Sequence, residues 1–69
     1  MARLFFKEYG CVIKEVQNTS IVPDNEDRIH IYEGNKKSFF RVDDRVFKYL
    51  DKELIIDIHL TRISTGINL

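Results

Sequence analysis

The alternation of residues 28–43 constrains this chain more than any other feature. RIHIYE (28–33) and SFFRVD (38–43) each switch between apolar and polar or aromatic residues with period two, and GNKK lies between them. Successive side chains on a strand point to opposite faces, so such a segment belongs in a half-buried β-hairpin. Gly34-Asn35 suits the turn, because both residue types tolerate positive φ. A two-residue turn pairs Glu33 with Lys36; a four-residue loop pairs Glu33 with Ser38. The two registers differ by two positions, so both sort the side chains into the same faces. Ile29, Ile31, Phe40 and Val42 line one face. Arg28, His30, Tyr32, Lys37, Phe39 and Arg41 line the other.

The rest of the chain reads around this hairpin. Residues 2–17 are extended, with an apolar run at Leu4, Phe5 and Phe6 and the β-branched stretch CVIKEV at 11–16. Gly10 marks either a turn between two strands or an irregularity in one. Residues 17–27, QNTSIVPDNED, form a loop with the only proline and an acidic cluster at Asp24, Glu26 and Asp27. LIIDIHLTRI at 54–63 reads as a core strand with Leu54, Ile56, Ile58 and Leu60 on one face. Asp57, His59 and Thr61 lie opposite, beside Ile55. The tail STGINL is expected to be a loose end or a short final strand.

Residues 44–53 allow two readings. Val46, Phe47, Leu50 and Leu54 fit a helical stripe, which Asp43 or Asp44 would cap. The rival is a strand, RVFKYL, turning at Asp51–Lys52. The helix is the preferred expectation. The fold class expected is therefore mainly β (α+β): a small antiparallel sheet or partly open barrel of four or five strands, with one short helix near 44–52. An all-β small barrel is the alternative.

At 69 residues the chain is one domain, 1–69. A domain of this size buries only about 60% of the surface its unfolded chain exposes, so its stability margin is thin. With 43% hydrophobic and 32% charged residues it is globular rather than disordered. Formal net charge is zero, which argues against a nonspecific nucleic-acid binder, whose affinity comes from neutralising phosphates. Residues 1–35 carry four Lys/Arg and six Asp/Glu, and residues 36–69 carry seven and five, so the asymmetry is slight. Cys11 is the single cysteine, so no internal disulfide forms and a reducing, cytoplasmic setting is expected. No apolar run reaches the length of a membrane span. The frequent Ile, Lys, Asn and Asp would suit a phage or mobile-element gene.

Motifs that carry chemistry are missing. There is no Walker A loop, no GxSxG and no Cys/His cluster, and the glycines at 10, 34 and 66 are scattered. His30 and His59 lack further ligands for zinc. Cys11 has no adjacent base and reads as a partly buried small residue. PDNED lacks the spacing, the central glycine and the terminal Glu of an EF-hand loop. No catalytic, cofactor or metal residues are assigned, and the chain is expected not to be an enzyme.

One constellation remains: the outer hairpin face, with His30, Tyr32, Lys37, Phe39 and Arg41. Aromatic rings beside Arg and Lys serve as anchors in protein recognition. The same set can stack bases and neutralise phosphates. The bland alternative is that Tyr32 and Phe39 are covered by another part of the chain. The expectation is a non-catalytic interaction module that binds and modulates a larger intracellular protein. Single-stranded nucleic-acid binding through the same face is the alternative. An exposed sheet edge would also permit a homodimer.

Overall fold

The computed structural model describes residues 2–66. Five strands follow one another: β1 (Ala2–Glu8), β2 (Cys11–Thr19), β3 (Arg28–Glu33), β4 (Lys36–Leu50) and β5 (Glu53–Gly66). They form one sheet in the order β2-β1-β5-β4-β3, curled into an open half-barrel. The mainly-β expectation holds. Of the tail STGINL, expected as a loose end or a short final strand, residues 64–66 continue β5 alongside β4, and residues 67–69 lie outside the described residues.

β5 is the central strand, and its middle residues Ile56, Asp57 and Ile58 are all buried. β1 runs parallel beside it, with Leu4 next to Ile56 and Phe6 next to Ile58. β4 runs antiparallel on its other flank, from Lys37 beside Gly66 to Leu50 beside Glu53. The sheet is therefore mixed, not wholly antiparallel as the sequence suggested. A parallel pair needs a long connection, and here that connection is the rest of the protein.

Alternation along these strands gathers the core on the concave face. Ala2, Leu4, Phe6, Phe40, Val42, Ile56, Ile58 and Leu60 are buried there. Ile13, Val16, Ile29, Ile31 and Leu54 pack around them, with Val22 from the 20–27 loop. Full burial of each large apolar side chain contributes roughly 1.5–3 kcal/mol. At one end Arg62 lies over the Phe40 ring, 4.8 Å from its centroid, and grips Glu8 through bonds of 2.8 and 2.9 Å.

No helix occurs among the described residues, so the helix expected near 44–52 is corrected. The apolar spacing 46, 47, 50, 54 matches a helical stripe by accident. The segment is also rich in β-branched and aromatic residues, and pairing with β5 continues without a break from Asp44–His59 to Leu50–Glu53. That non-local pairing outweighs a weak local preference. Asp51–Lys52 is the hairpin turn, as in the rival strand reading. Asp43 caps nothing; it is the extra residue where the register slips between Val42 and Asp44. The sheet is the all-β alternative, left open rather than closed.

Residues 2–19 resolve into a hairpin rather than one irregular strand. Its turn is Tyr9–Gly10, with φ of 53° and 78°. Two positive values define a type I′ turn, which favours Asn-Gly. Tyr9 is a poor occupant: it is 94% exposed, so nothing packs against it to offset the left-handed backbone. Cys11, next to this turn, is exposed rather than partly buried, with no element of the described residues over it. Tyr9→Asn is expected to raise the free energy of unfolding by about 1 kcal/mol, read from the urea midpoint at unchanged slope.

Three carboxylates are held below their usual pKa by cationic or hydroxyl partners. For Glu8 the hydrogen bond from Arg62 is the main cause. For Asp43 it is the hydrogen bond from the Thr61 hydroxyl. Asp57 is only 4% exposed, and burial alone would push it up. Salt bridges to Lys48 Nζ at 2.7 Å and Lys7 Nζ at 3.3 Å outweigh that burial and bring it down. A lowered folded-state pKa stabilises the protein above the unfolded value and loses that contribution as pH falls through the folded one. The melting temperature is thus expected to be flat near neutrality and to fall below pH of about 4. Asp57→Asn should cost about 1–2 kcal/mol at pH 7, less than for a fully buried pair because Lys48 is half exposed, and should reduce the acid slope.

Candidate functional site

The turn of the β3–β4 hairpin uses the shorter of the two registers. Glu33 pairs with Lys36 across Gly34–Asn35. Gly34 takes φ +61° while Asn35 stays out of the positive region. That is the type II′ pattern, with glycine at the first central position. The register then places His30 opposite Phe39, Tyr32 opposite Lys37 and Arg28 opposite Arg41. All six point to the convex face, away from the core that holds Ile29, Ile31 and Phe40.

Four of the five candidate residues form one continuous cluster. The His30 and Phe39 rings lie 4.5 Å apart, tilted by 51°. His30 meets Tyr32 edge-on, with centroids 6.3 Å apart at 76°. Lys37 Nζ sits 5.7 Å from the Tyr32 centroid, in cation–π range. Tyr32 is 61% exposed, and Phe39 and Lys37 are half-buried. The covered alternative therefore fails for Tyr32: among the described residues, neither the 20–27 loop nor another strand lies over it.

Arg41 shares the face but turns toward its own strand. Its Nη2 lies 3.3 Å from Asp43 Oδ1, and Asp43 also accepts from the Thr61 hydroxyl. Arg41 and Asp43 lie two residues apart on one strand, which puts them on the same face. The acidic loop is also engaged: Asp24 Oδ1 lies 3.2 Å from Arg45 Nη1. Its backbone meets Val42, with Glu26 N–H donating at 2.7 Å and Asp27 C=O accepting at 2.9 Å.

Two features escaped the sequence reading. Farther along the convex face, Phe5, Val12, Leu50 and Ile55 surround the Lys7–Asp57–Lys48 group in a shallow cleft of about 380 Å³. The signal available was Asp57 on an otherwise apolar central strand. On the concave side, a cleft of about 270 Å³ opens between the edge strands, lined by Ile13, Ile31, Glu33, Lys36, Ser38, Phe40 and Arg62. Nothing local could have shown that β2 and β3 face each other across it. Among the described residues, no three His, Cys, Asp or Glu side chains group closely enough to hold a metal ion, and His30 is committed to its ring contacts.

The ring contacts predict a measurable coupling. A double-mutant cycle on His30→Ala and Phe39→Ala, read by denaturant unfolding, should give an interaction energy of about 0.5–1 kcal/mol. Comparison with protein-family models, curated proteins and solved structures finds no match to this chain.

Proposed function

We propose that the chain is a non-catalytic interaction module whose convex hairpin face docks onto a larger protein. The observation that carries this reading is the His30–Tyr32–Phe39 cluster, exposed at His30 and Tyr32, with Lys37 at its side. Large rings are seldom left in water on so small a domain, and Tyr beside a cation is a common anchor type at interfaces. The rings are held by cross-strand contact before any partner arrives, so little side-chain entropy is lost on docking. Tyr32 and Phe39 supply the apolar area. Lys37 and Arg28 give the rim its positive charge, so an acidic or aromatic patch is the complementary surface. The exposed Cys11 thiol suits a reducing compartment such as the cytoplasm.

Single-stranded nucleic acid is the other occupant such a face admits. The local charge favours it less than the ring set does, because Arg41 is neutralised by Asp43. The two occupants separate by salt. Affinity for a polynucleotide falls steeply with ionic strength, whereas ring-anchored protein docking depends on salt only weakly.

Affinity capture with the wild-type chain should yield a specific partner. Tyr32→Ala should weaken it by at least tenfold in titration calorimetry, with the fold intact by circular dichroism. Retention of the partner by both Tyr32→Ala and Phe39→Ala would remove this face from consideration. Tight binding to oligonucleotides with a steep salt slope would replace the protein with nucleic acid.

A further inference from the structure

Among the described residues the sheet has three stretches of unpaired edge, and one of them is open. β2 is interrupted twice, by register slips at Ile13 and near Asn18, where φ is +56°. Bulges of this kind twist an edge away from pairing. β3 is six residues long and begins and ends on charge, at Arg28 and Glu33. β4 differs. β3 covers it only from Lys36 to Arg41, and the 26–27 loop covers Val42. From Asp44 to Leu50 no strand pairs with its far side among the described residues, the loop reaching it only through the Arg45 side chain, which bonds to Asp24 and the Pro23 carbonyl, and its register against β5 is unbroken. This stretch carries Phe47, 40% exposed, and Tyr49, 78% exposed, with half-exposed Leu50 and Val46.

We infer that this edge pairs with a second copy of the chain, antiparallel about a twofold axis through Phe47. Leu50 and Glu53 close a two-residue turn, so they form a hydrogen-bonded pair. Leu50, Lys48 and Val46 then direct their N–H and C=O toward β5. Arg45, Phe47 and Tyr49 direct theirs outward. The Arg45 amide agrees: it donates to the Asp44 carboxylate at 2.9 Å, not to β5.

A twofold perpendicular to the sheet pairs residues of the same parity. With Phe47 on the axis, Phe47 meets Phe47 and Arg45 meets Tyr49 twice, so every outward group finds a partner. On the concave side this makes an unbroken ladder of Arg45, Phe47 and Tyr49, extending the Arg45–Phe47 cation–π contact already present at 5.4 Å. On the convex side Lys48 lies opposite Val46. Moving the axis to Lys48 would set the two Lys48 side chains, each bridged to its own Asp57, face to face and would leave the outward groups of Arg45 opposite the Asp51–Lys52 turn. Moving it to Val46 would set Leu50 opposite Val42, where the 26–27 loop already lies. Charge and the loop therefore select one register, and it uses all seven free residues. Asp44 is the guard: its side chain occupies the Arg45 amide that the second copy needs.

The pairing is tested on the whole chain by sedimentation equilibrium and amide exchange from micromolar to millimolar concentration. A concentration-dependent dimer is expected, with the Phe47 and Tyr49 amides gaining protection while that of Lys48 stays constant. Tyr49→Pro removes only an outward N–H, which an edge strand tolerates, and should be monomeric. Phe47→Lys, which sets like charges across the axis, is the second variant should Tyr49→Pro fold poorly, and it should also be monomeric. Asp44→Ala should tighten the dimer by at least about fivefold, the equivalent of one net hydrogen bond of about 1 kcal/mol. A wild-type chain that stays monomeric at millimolar concentration overturns the inference. So does a dimer that persists in both monomerising variants, or one whose added protection falls on β2 or β3. Tyr32→Ala leaves this equilibrium unchanged, so its outcome is separate from that of the docking face.

Discussion

Every part of the fold depends on β5 being hydrogen-bonded on both sides. Along Leu54–Leu60 it has β1 parallel on one flank and β4 antiparallel on the other. Its inward residues, Ile56 and Ile58, are wholly buried. No helix covers the sheet among the described residues, so the core must be covered by curvature. The strands curl until β2 and β3 approach without pairing; their Cα atoms stay more than 8 Å apart. The apolar residues that would line a flat sheet are instead gathered into a trough, with Val22 of the loop laid in it. Arg62 and Glu8, on the neighbouring strands β5 and β1, pair at one end of that trough.

This constraint explains which features could be read from the residues alone. The hairpin faces at 28–43 were legible because parity is local: whichever turn is used, His30, Tyr32, Lys37, Phe39 and Arg41 stay together. The inward face of β5 was legible for the same reason. What depends on distant pairing was not. The parallel union of β1 with β5 joins Ala2 to Leu54, and no local pattern announces it. The segment 44–50 misled because it is half-exposed on both faces. Its concave side carries Phe47 and Tyr49, and its convex side carries Val46 and Leu50. A strand with apolar residues on both sides loses its period-two contrast, and what remains resembles a helical stripe. The exposure of Tyr32 was equally out of reach, since it depends on what the rest of the chain fails to cover.

The two surfaces differ in physical kind. The hairpin face is made of side chains: rings that touch, with cations beside them. The β4 edge is made of backbone: amides and carbonyls alternating outward, with side chains deciding the register. Docking by side chains discriminates by shape and charge. Pairing by backbone is permissive, and a free edge invites aggregation unless something restricts it. Asp44 and Lys48 provide that restriction here. One occupies an amide and the other forbids a register, so the edge accepts a limited geometry.

Joined through that edge, the two surfaces would act together. A twofold perpendicular to the sheet keeps the convex faces of both copies on the same side. The two His30–Tyr32–Phe39 clusters would then face one way, separated by the paired β4 strands and the ends of both hairpins. A partner presenting two matching sites on one surface would engage both at once. Its second contact would benefit from the effective concentration set by the rigid sheet rather than by free diffusion. A thin-cored domain with a single modest docking face gains affinity more readily by this route than by enlarging the face. Each added exposed ring would enlarge the apolar surface left in water on the unbound chain, whereas pairing at β4 buries apolar surface that is already there.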